Sequence, residues 1–275
     1  YESEYAQYFQ DAMFPDETLL SFKPDIVFIH TTNRNVTDWP EMTDTTEQID
    51  EKLHTEINRF TAMWKSIAEK FHCPIIQNNF EMPLYRLLGS RDAWDIHGRT
   101  NFLTRLNEAF YAYARENESF YIHDLNFVSA DYGLKEWSNP LFWNMYKYAM
   151  CFEAIPSFAF SVSHIIKSIF GKNKKALALD LDNTLWGGVV GDDGVDGIEI
   201  GQETGVSQSY YEFQTYVKQL KSLGIVLTVC SKNDHENAIA GLNHPEGALR
   251  PDDFVIIKAN WENKDRNIAE TAAEL

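Results

Sequence analysis

A short apolar run that ends in two carboxylates constrains the fold of this chain more than any other stretch. The segment Lys175 to Gly188 reads KALALDLDNTLWGG, and residues 176–179 are continuously apolar. This run is too short for a typical helix and suits a central parallel strand buried on both faces. Asp180 and Asp182 follow at the carboxyl end of that strand, where open α/β sheets bind their ligands.

The spacing of the two acidic residues aims both carboxylates into one cleft. Two negative charges at such a place repel each other, so the pair implies either a divalent metal or a shared proton. A calcium-binding loop beginning at Asp180 is excluded, because its sixth position would be Leu185 where glycine is required. Neither GxxxxGK nor GxGxxG occurs, which argues against a nucleotide-binding loop.

Length and charge narrow the class of protein. The chain has 275 residues, more than one compact core usually contains, so two domains are expected. Its 24 Lys and Arg residues stand against 41 Asp and Glu residues, for a net charge of -17. This excess of acidic residues argues against a nucleic acid partner, and any phosphate site must be built locally from a few cations and backbone amides.

Cysteine content and hydropathy indicate the cellular compartment in which the protein is expected. Cys73, Cys151 and Cys230 are too few and too far apart for a disulfide scaffold or a CxxC metal site. No apolar run is long enough for a membrane span, and Tyr1 does not begin a signal-peptide pattern. We therefore expect a cytoplasmic protein without a membrane partner, and a sequence that is a fragment of a longer chain.

The first half of the chain alternates strand-like runs with amphipathic helical ones. From Thr46 to Phe71 the apolar residues recur every three or four positions, which predicts a long helix with one core-facing stripe. A second helix is predicted over residues 101–116. The predicted strands cover residues 26–29, 74–77 and 120–125. This alternation is typical of a parallel α/β domain.

A second α/β pattern follows an aromatic-rich, largely helical stretch over residues 137–171. The short polar segment that begins at Gly171 divides the chain into domains 1–170 and 171–275. Residues 186–201 have alternating valine and isoleucine around Asp192 and Asp193, which predicts a hairpin or flap. Further elements are predicted as a helix over 207–223, strands over 225–229 and 254–257, and a helix that starts near 264. The fold class is therefore α/β with two parallel-sheet domains.

Three motifs of the second half occur in a specific order: DLDNTLWGG at residues 180–188, VCSKN at 229–233 and NWENK at 260–264. Through these motifs the second half resembles the haloacid dehalogenase (HAD) superfamily, and most closely its FkbH-like members of subfamily IIIC. The resemblance implies a Rossmann-like phosphatase core with a small flap and no large cap. It also implies an acidic pair after a further strand, which would lie beyond Leu275, so this domain is expected to be incomplete at its C-terminus.

The resemblance implies that Asp180 is the nucleophile that forms an aspartyl-phosphate, and that Asp182 is the general acid and base. It further implies Mg²⁺ bound by Asp180 and by the backbone carbonyl of Asp182. The chemistry agrees with these roles, because a metal offsets the repulsion between a carboxylate nucleophile and a phosphoryl group. A covalent intermediate also splits one difficult displacement into two easier steps.

Other residues of the motifs are expected to bind phosphate. Ser231 would donate a hydrogen bond to the phosphoryl group, although it could also cap the following helix. Lys264 would neutralise charge beside Asp180, and Lys258, which also follows a strand, is its rival for that role. The full predicted phosphate-binding set is Asn183, Thr184, Ser231, Lys232 and Lys264.

Three functions remain open on the sequence. The first is a Mg²⁺-dependent phosphatase or phosphotransferase. The second is an FkbH-like glyceryl or acyl transferase that loads a three-carbon unit from a phosphorylated glycerate onto an acyl carrier protein, with Cys230 as the thiol nearest the cleft. The third is a non-catalytic phosphate-binding module. A small flap leaves the site open, which favours a bulky or carrier-bound phosphorylated substrate.

The first domain resembles, more faintly, the SGNH-hydrolase-like region that precedes the phosphatase domain in FkbH-like proteins. No convincing serine nucleophile is present in it. Polar residues near its strand ends could mark an ancestral site, but such residues are more often structural. They are His30, Asn33, Asn78, His123 and Asp124. A non-catalytic, covering or recognition role is therefore expected for residues 1–170.

Overall fold

The chain forms two compact units, Tyr1–Lys172 and Asn173–Leu275. The computed structural model of the protein describes residues 1–4 and 6–275. The division that the sequence predicts, between residues 170 and 171, lies close to the observed one. Each unit contains a three-stranded parallel sheet with helices packed beside it. The α/β class with two parallel-sheet domains is thereby confirmed.

In the first unit the strands are β1 (Val27–Ile29), β2 (Ile75–Asn78) and β3 (Phe120–His123), paired in that order. Its helices are α1 (Tyr8–Met13), α2 (Glu17–Phe22), α3 (Thr46–Phe71), α4 (Arg99–Glu116), α5 (Leu125–Tyr132), α6 (Leu134–Trp137), α7 (Pro140–Tyr146) and α8 (Ile155–Ile169). The predicted long helix has the bounds of α3. The aromatic-rich stretch over residues 137–171 contains the short helix α7 and the longer helix α8.

Helix α3 begins and ends where local chemistry dictates. The backbone N–H of Gln48 donates to Thr45 Oγ1 while the Thr45 N–H donates to Gln48 Oε1, a reciprocal capping box. His72 ends the helix in a left-handed conformation with φ 51°. The buried stripe of α3 includes Phe60 and Trp64, and the Trp64 ring lies 4.7 Å from that of Phe110 on α4. Aromatic packing of this kind forms the core of the first unit.

In the second unit the strands are β4 (Ala176–Leu179), β5 (Val226–Ser231) and β6 (Ile256–Ala259), paired in that order. Its helices are α9 (Val190–Asp193), α10 (Gly205–Ser222), α11 (His235–Leu242) and α12 (Lys264–Glu274). Leu181, Leu185 and Trp186 are fully buried in the core of this unit. These three side chains therefore hold the segment that follows β4 against the core of the second unit.

The prediction that residues 176–179 form a central strand buried on both faces is wrong for the described residues. Strand β4 pairs with β5 at one edge of the sheet, and Ala176 and Ala178 are exposed. Only Leu179 of this strand is fully buried. Alanine is small enough to occupy an edge strand at little cost, and an apolar run does not by itself distinguish edge from centre.

The predicted hairpin over residues 186–201 is also corrected. A single antiparallel bridge joins Gly187 to Glu199, but the segment between them contains α9 and a 3₁₀ turn, Val195–Gly197. The Val189 N–H donates to Asp193 Oδ2 at 2.8 Å, which favours a helical turn over an extended arm. We call residues 186–201 the flap; it is small, as predicted.

Across residues 1–4 and 6–275, the helices include none with the length and apolar character needed to cross a membrane.

Candidate active site

The parallel register of the second sheet brings the predicted motifs to one edge. Leu179 pairs with Val229, and Ser231 pairs with Ala259, so the carboxyl ends of β4, β5 and β6 lie side by side. Asp180 directly follows β4 and Ser231 is the last residue of β5. Carboxyl ends of neighbouring parallel strands are the usual position of a ligand site in α/β folds.

Asp180 is the meeting point of these elements. Its Oδ2 lies 2.5 Å from Nζ of Lys264, the first residue of α12, and its Oδ1 accepts from the N–H of Leu181 at 3.0 Å. Partial burial raises the pKa of the carboxyl, but hydrogen bonds from Lys264, Ser231 and Leu181 outweigh burial, so the pKa lies below its ordinary value. Asp180 is therefore ionised at neutral pH and sits beside a cation.

Asp182 has a separate set of partners. Its Oδ1 accepts from Nε1 of Trp186 at 2.9 Å and from the N–H of Val190 at 3.0 Å. Its Oδ2 accepts from Nδ2 of Asn233 at 2.9 Å. Three donors from the flap and from the loop after β5 thus fix the orientation of this carboxylate.

Asn183 and Thr184 shape the turn that carries the two carboxylates. Asn183 adopts a left-handed conformation with φ 55°, which asparagine tolerates better than most residues. Its Oδ1 accepts from the N–H of Gly188 at 3.1 Å, while the Thr184 N–H donates to the carbonyl of Leu181 at 3.0 Å. The side-chain oxygen of Asn183 is thereby engaged in the turn, so the geometry supports a structural role for this residue.

The residues at the end of β5 differ sharply in exposure. Ser231 is buried and hydrogen-bonds the Asp180 carboxyl, whereas Lys232 is exposed. Cys230 is buried, its Sγ lies 3.7 Å from the carbonyl oxygen of Lys264, and burial raises the pKa of its thiol. A buried thiol with a raised pKa supplies little thiolate, so the geometry does not favour Cys230 as an acyl acceptor.

The two rival lysines occupy different surroundings. Lys264 contacts Asp180, whereas Nζ of Lys258 on β6 pairs with Glu270 at 2.9 Å and with Glu274 at 2.8 Å on α12. The ion pairs of Lys258 therefore join α12 to β6. Of the two lysines, Lys264 is therefore the one whose charge lies beside Asp180.

The sequence predicted no role for two residues that hold Asp182. Trp186 lies in the motif DLDNTLWGG and Asn233 lies in VCSKN. Their place in these motifs was the sequence feature that could have indicated a role at the site. Trp186 is fully buried, and a Cβ placed on Gly241 of α11 would lie 2.8 Å from its ring. The indole ring therefore packs closely against α11.

Hard oxygen donors at the end of β4 suit Mg²⁺. The Asp180 carboxylate and the Asp182 backbone carbonyl are of this type. The Asp182 carboxylate already accepts three hydrogen bonds. Within the described residues no cluster of three or more His, Cys, Asp or Glu side chains could hold a metal. These two donors fit a magnesium ion that keeps several waters, which is its usual mode of binding.

Strand-end polar residues of the first unit hold loops in place. Asn78 Oδ1 accepts from the Thr31 N–H at 2.9 Å and lies 3.2 Å from Nδ1 of His30. Asp124 Oδ1 accepts from Nδ2 of Asn79 at 2.6 Å and from the N–H of Phe127, which caps α5. His123 is fully buried at the end of β3. The contacts of Asn78 and Asp124 hold these loops in place, whereas neither ring nitrogen of His123 has a hydrogen-bond partner in the described residues.

Comparison with protein families assigns the chain through its first unit. The model of the family described as FkbH, N-terminal domain, matches residues 1–167. The chain belongs to the FkbH N-terminal domain family. This match covers more than half of the chain and confirms the FkbH-like part of the resemblance seen in the sequence.

The FkbH-family chain is also similar to a solved structure over its whole length. That structure is the N-terminal part of a Bacteroides fragilis protein containing a phosphatase domain, complexed with Mg. The two share 30% sequence identity with a TM-score of 0.88, and the alignment covers 100% of this chain and 72% of the other. No curated protein matches the chain. A phosphatase-like or FkbH-like function is consistent with both findings.

Proposed function

We propose that the second unit is a HAD-type, subfamily IIIC domain that catalyses Mg²⁺-dependent phosphoryl transfer through Asp180. The observation that carries the proposal is the Asp180 carboxylate, held at the carboxyl end of β4 with Lys264 Nζ at 2.5 Å and Asp182 two positions later. The similarity to a Bacteroides fragilis protein with a phosphatase domain complexed with Mg supports it.

In the first step an oxygen of Asp180 attacks phosphorus, and the bond from phosphorus to the leaving oxygen breaks. Asp182 gives a proton to that oxygen, so an alcohol leaves and an aspartyl-phosphate remains. In the second step Asp182 takes a proton from water, which attacks phosphorus and releases inorganic phosphate. The carboxylate of Asp180 is then regenerated, and atoms and charges balance over the cycle.

Neighbouring groups serve the same reaction. Lys264 keeps Asp180 ionised and offsets negative charge on the incoming phosphoryl group, and Ser231 offers a hydroxyl at the same edge. Mg²⁺ bound by the Asp180 carboxylate and the Asp182 carbonyl would supply further positive charge for the phosphoryl oxygens. We propose that exposed Lys232, the Nδ2 group of Asn183 and the Thr184 hydroxyl also donate hydrogen bonds to the phosphoryl group, while Asn183 Oδ1 holds the turn.

Phosphate release from p-nitrophenyl phosphate by the full-length protein, with and without Mg²⁺, tests this proposal. Asp180→Asn should abolish release, whereas Asp192→Asn, an exposed flap residue, should leave it unchanged. Asp182→Asn should accumulate a phosphoryl adduct on Asp180 that mass spectrometry detects. Metal-independent release, or release that survives Asp180→Asn, would overturn the mechanism. Binding of vanadate without turnover would instead support a non-catalytic phosphate-binding module.

Family membership favours a second candidate function. As a member of the FkbH N-terminal domain family, the protein would transfer a glyceryl or acyl unit from a phosphorylated glycerate to an acyl carrier protein. Since Cys230 is buried, the acceptor thiol in this scheme belongs to the carrier. Incubation of full-length protein with donor and carrier should give a thioester adduct on the carrier by mass spectrometry. Phosphate release without that adduct would favour the phosphatase.

For the first unit we propose an SGNH-hydrolase-like domain without hydrolytic activity. The support is that its strand-end polar residues, such as Asn78 and Asp124, are committed to holding loops. Hydrolysis of p-nitrophenyl acetate should not exceed the background rate. A rate that is saturable and lost on treatment with a serine-directed fluorophosphonate would contradict this proposal.

A further inference from the structure

The first unit contains a cavity of about 230 Å³ at the carboxyl edge of its sheet. Asn33 and Arg34, which follow β1, and residues 81–85, which follow β2, form part of its wall. Arg99 at the start of α4 and Trp137 at the end of α6 contribute further wall. A concave, partly apolar site at this edge of a parallel sheet is where small ligands usually bind in α/β proteins.

Two of the wall residues are arginines whose guanidinium groups stack on tryptophan rings. Arg34 stacks with its guanidinium carbon 4.4 Å from the ring centroid of Trp143, and that of Arg99 lies 4.9 Å from the ring centroid of Trp39. Neither guanidinium forms an ion pair with any residue in the described part of the chain, although the net charge is -17. Arginines held in place by stacking, with free N–H donors, are suited to bind carboxylate or phosphate groups.

The third polar feature is a buried carboxyl. Glu81 is 5% exposed, and its Oε2 accepts from the N–H of Asn33 at 3.3 Å. Burial raises its pKa to about 8, although its hydrogen bonds and the charge of Arg34 oppose this rise. At neutral pH the side chain is therefore mostly protonated, and a protonated carboxyl can donate a hydrogen bond to a ligand oxygen.

We propose that this cavity binds a small organic anion, with Arg34 and Arg99 contacting its carboxylate or phosphate group and Glu81 donating to a hydroxyl or carbonyl oxygen. The volume suits a compact small molecule and excludes a folded partner. Because all of these residues lie in the first unit, the proposal does not depend on the chemistry of Asp180.

Isothermal titration calorimetry of the full chain tests the proposal with three probes. Malate carries carboxylates and a hydroxyl, glycerol 3-phosphate carries a phosphate and hydroxyls, and glycerol is the uncharged counterpart. We expect one or both anions to bind and glycerol not to bind, and the preferred anion identifies the charged group. Failure of both anions to bind at millimolar concentration, or equal binding of glycerol, would overturn the proposal.

Matched variants locate the bound anion. Arg34→Gln and Arg99→Gln should each weaken binding roughly tenfold, as expected for loss of one charge-assisted hydrogen bond. Arg105→Gln is the control, because Arg105 lies on the same helix as Arg99 but is already paired with Asp50. Unchanged binding in Arg34→Gln and Arg99→Gln would place the anion elsewhere. Asp180→Asn should bind the anion as the parent chain does.

The pH dependence provides an independent test of Glu81. Among the residues that line the cavity, the charged or titratable groups other than Glu81 are Arg34, Tyr85 and Arg99. As pH rises through 8, Glu81 gains a negative charge and the affinity for an anion should fall. Glu81→Gln keeps a donor without titrating, so its affinity should stay level between pH 7 and pH 9. The same decline in both proteins would exclude Glu81 from the site.

Discussion

Nζ of Lys264 lies 2.5 Å from Oδ2 of Asp180, although the two residues are separated by 84 positions in the chain. The contact joins the end of β4 to the start of α12, and it forms because β4, β5 and β6 end at one edge of the sheet. The contact also lowers the pKa of Asp180 and so opposes burial, which raises it. The start of α12 thereby places a cation beside the proposed nucleophile.

Lys264→Met should lower kcat for phosphate release by about 100-fold, because one preorganised charge beside the transferring group is lost. Lys258→Met is the matched control: that lysine pairs with Glu270 and Glu274 and should affect only stability. Steady-state kinetics with circular dichroism as a folding check separates the two. Equal losses of kcat in both variants would mean that Lys264 acts through the position of α12 alone.

Trp186→Phe should lower kcat roughly tenfold with little change in KM, because the Asp182 carboxylate loses its indole donor but keeps two others. Trp261→Phe is a suitable control, since the Trp261 indole also donates to an aspartate, Asp234, but is exposed. A change in KM alone, or the same effect in both variants, would contradict a positioning role for Trp186.

Gly241→Ala should lower the free energy of unfolding by about 1 to 2 kcal/mol, because the new methyl overpacks the core by more than alanine gains in helix propensity. The added Cβ would lie 2.8 Å from the buried ring of Trp186. Gly205→Ala in α10 has no heavy atom within 4 Å of the new Cβ and should be neutral or slightly stabilising. Urea unfolding measures both, and equal midpoints would show that the Trp186 ring moves freely.

Local periodicity and sequence motifs predicted part of the fold and part of the site. The apolar stripe predicts α3, whose observed bounds are Thr46–Phe71. The contact between Asp180 and Lys264 was an implication of the resemblance carried by the motifs at residues 180–188 and 260–264. The contact forms because neighbouring parallel strands end together, which places both residues at the carboxyl end of the sheet.

Features that depend on three-dimensional packing were not predictable. The edge position of β4 and the helical turn in the flap depend on which element pairs with which, and the apolar pattern is the same in either case. The donors from Trp186 and Asn233 to Asp182 depend on how the flap and the loop after β5 are placed around that carboxylate. Glu81 carries no motif, and its raised pKa arises only from burial.

His123 should make the stability of the first unit depend on pH. His123 is fully buried, both its ring nitrogens lack a hydrogen-bond partner in the described residues, and its ring packs edge-on against Phe28 and Phe158. Burial, and to a lesser degree nearby His30, lower its pKa to about 4, although Asp124 opposes the shift.

In the unfolded chain His123 binds its proton near the ordinary histidine pKa of about 6.5, but in the folded unit only near 4. The unfolded state therefore binds more protons between these values, and stability should fall as pH falls through this window, by on the order of 3 kcal/mol. Hydrogen exchange of the β1 to β3 amides measures this loss for the first unit alone. His123→Phe keeps an aromatic ring without titrating, so its loss between pH 7 and pH 4 should be smaller, and an identical loss in both proteins would show that another group is responsible.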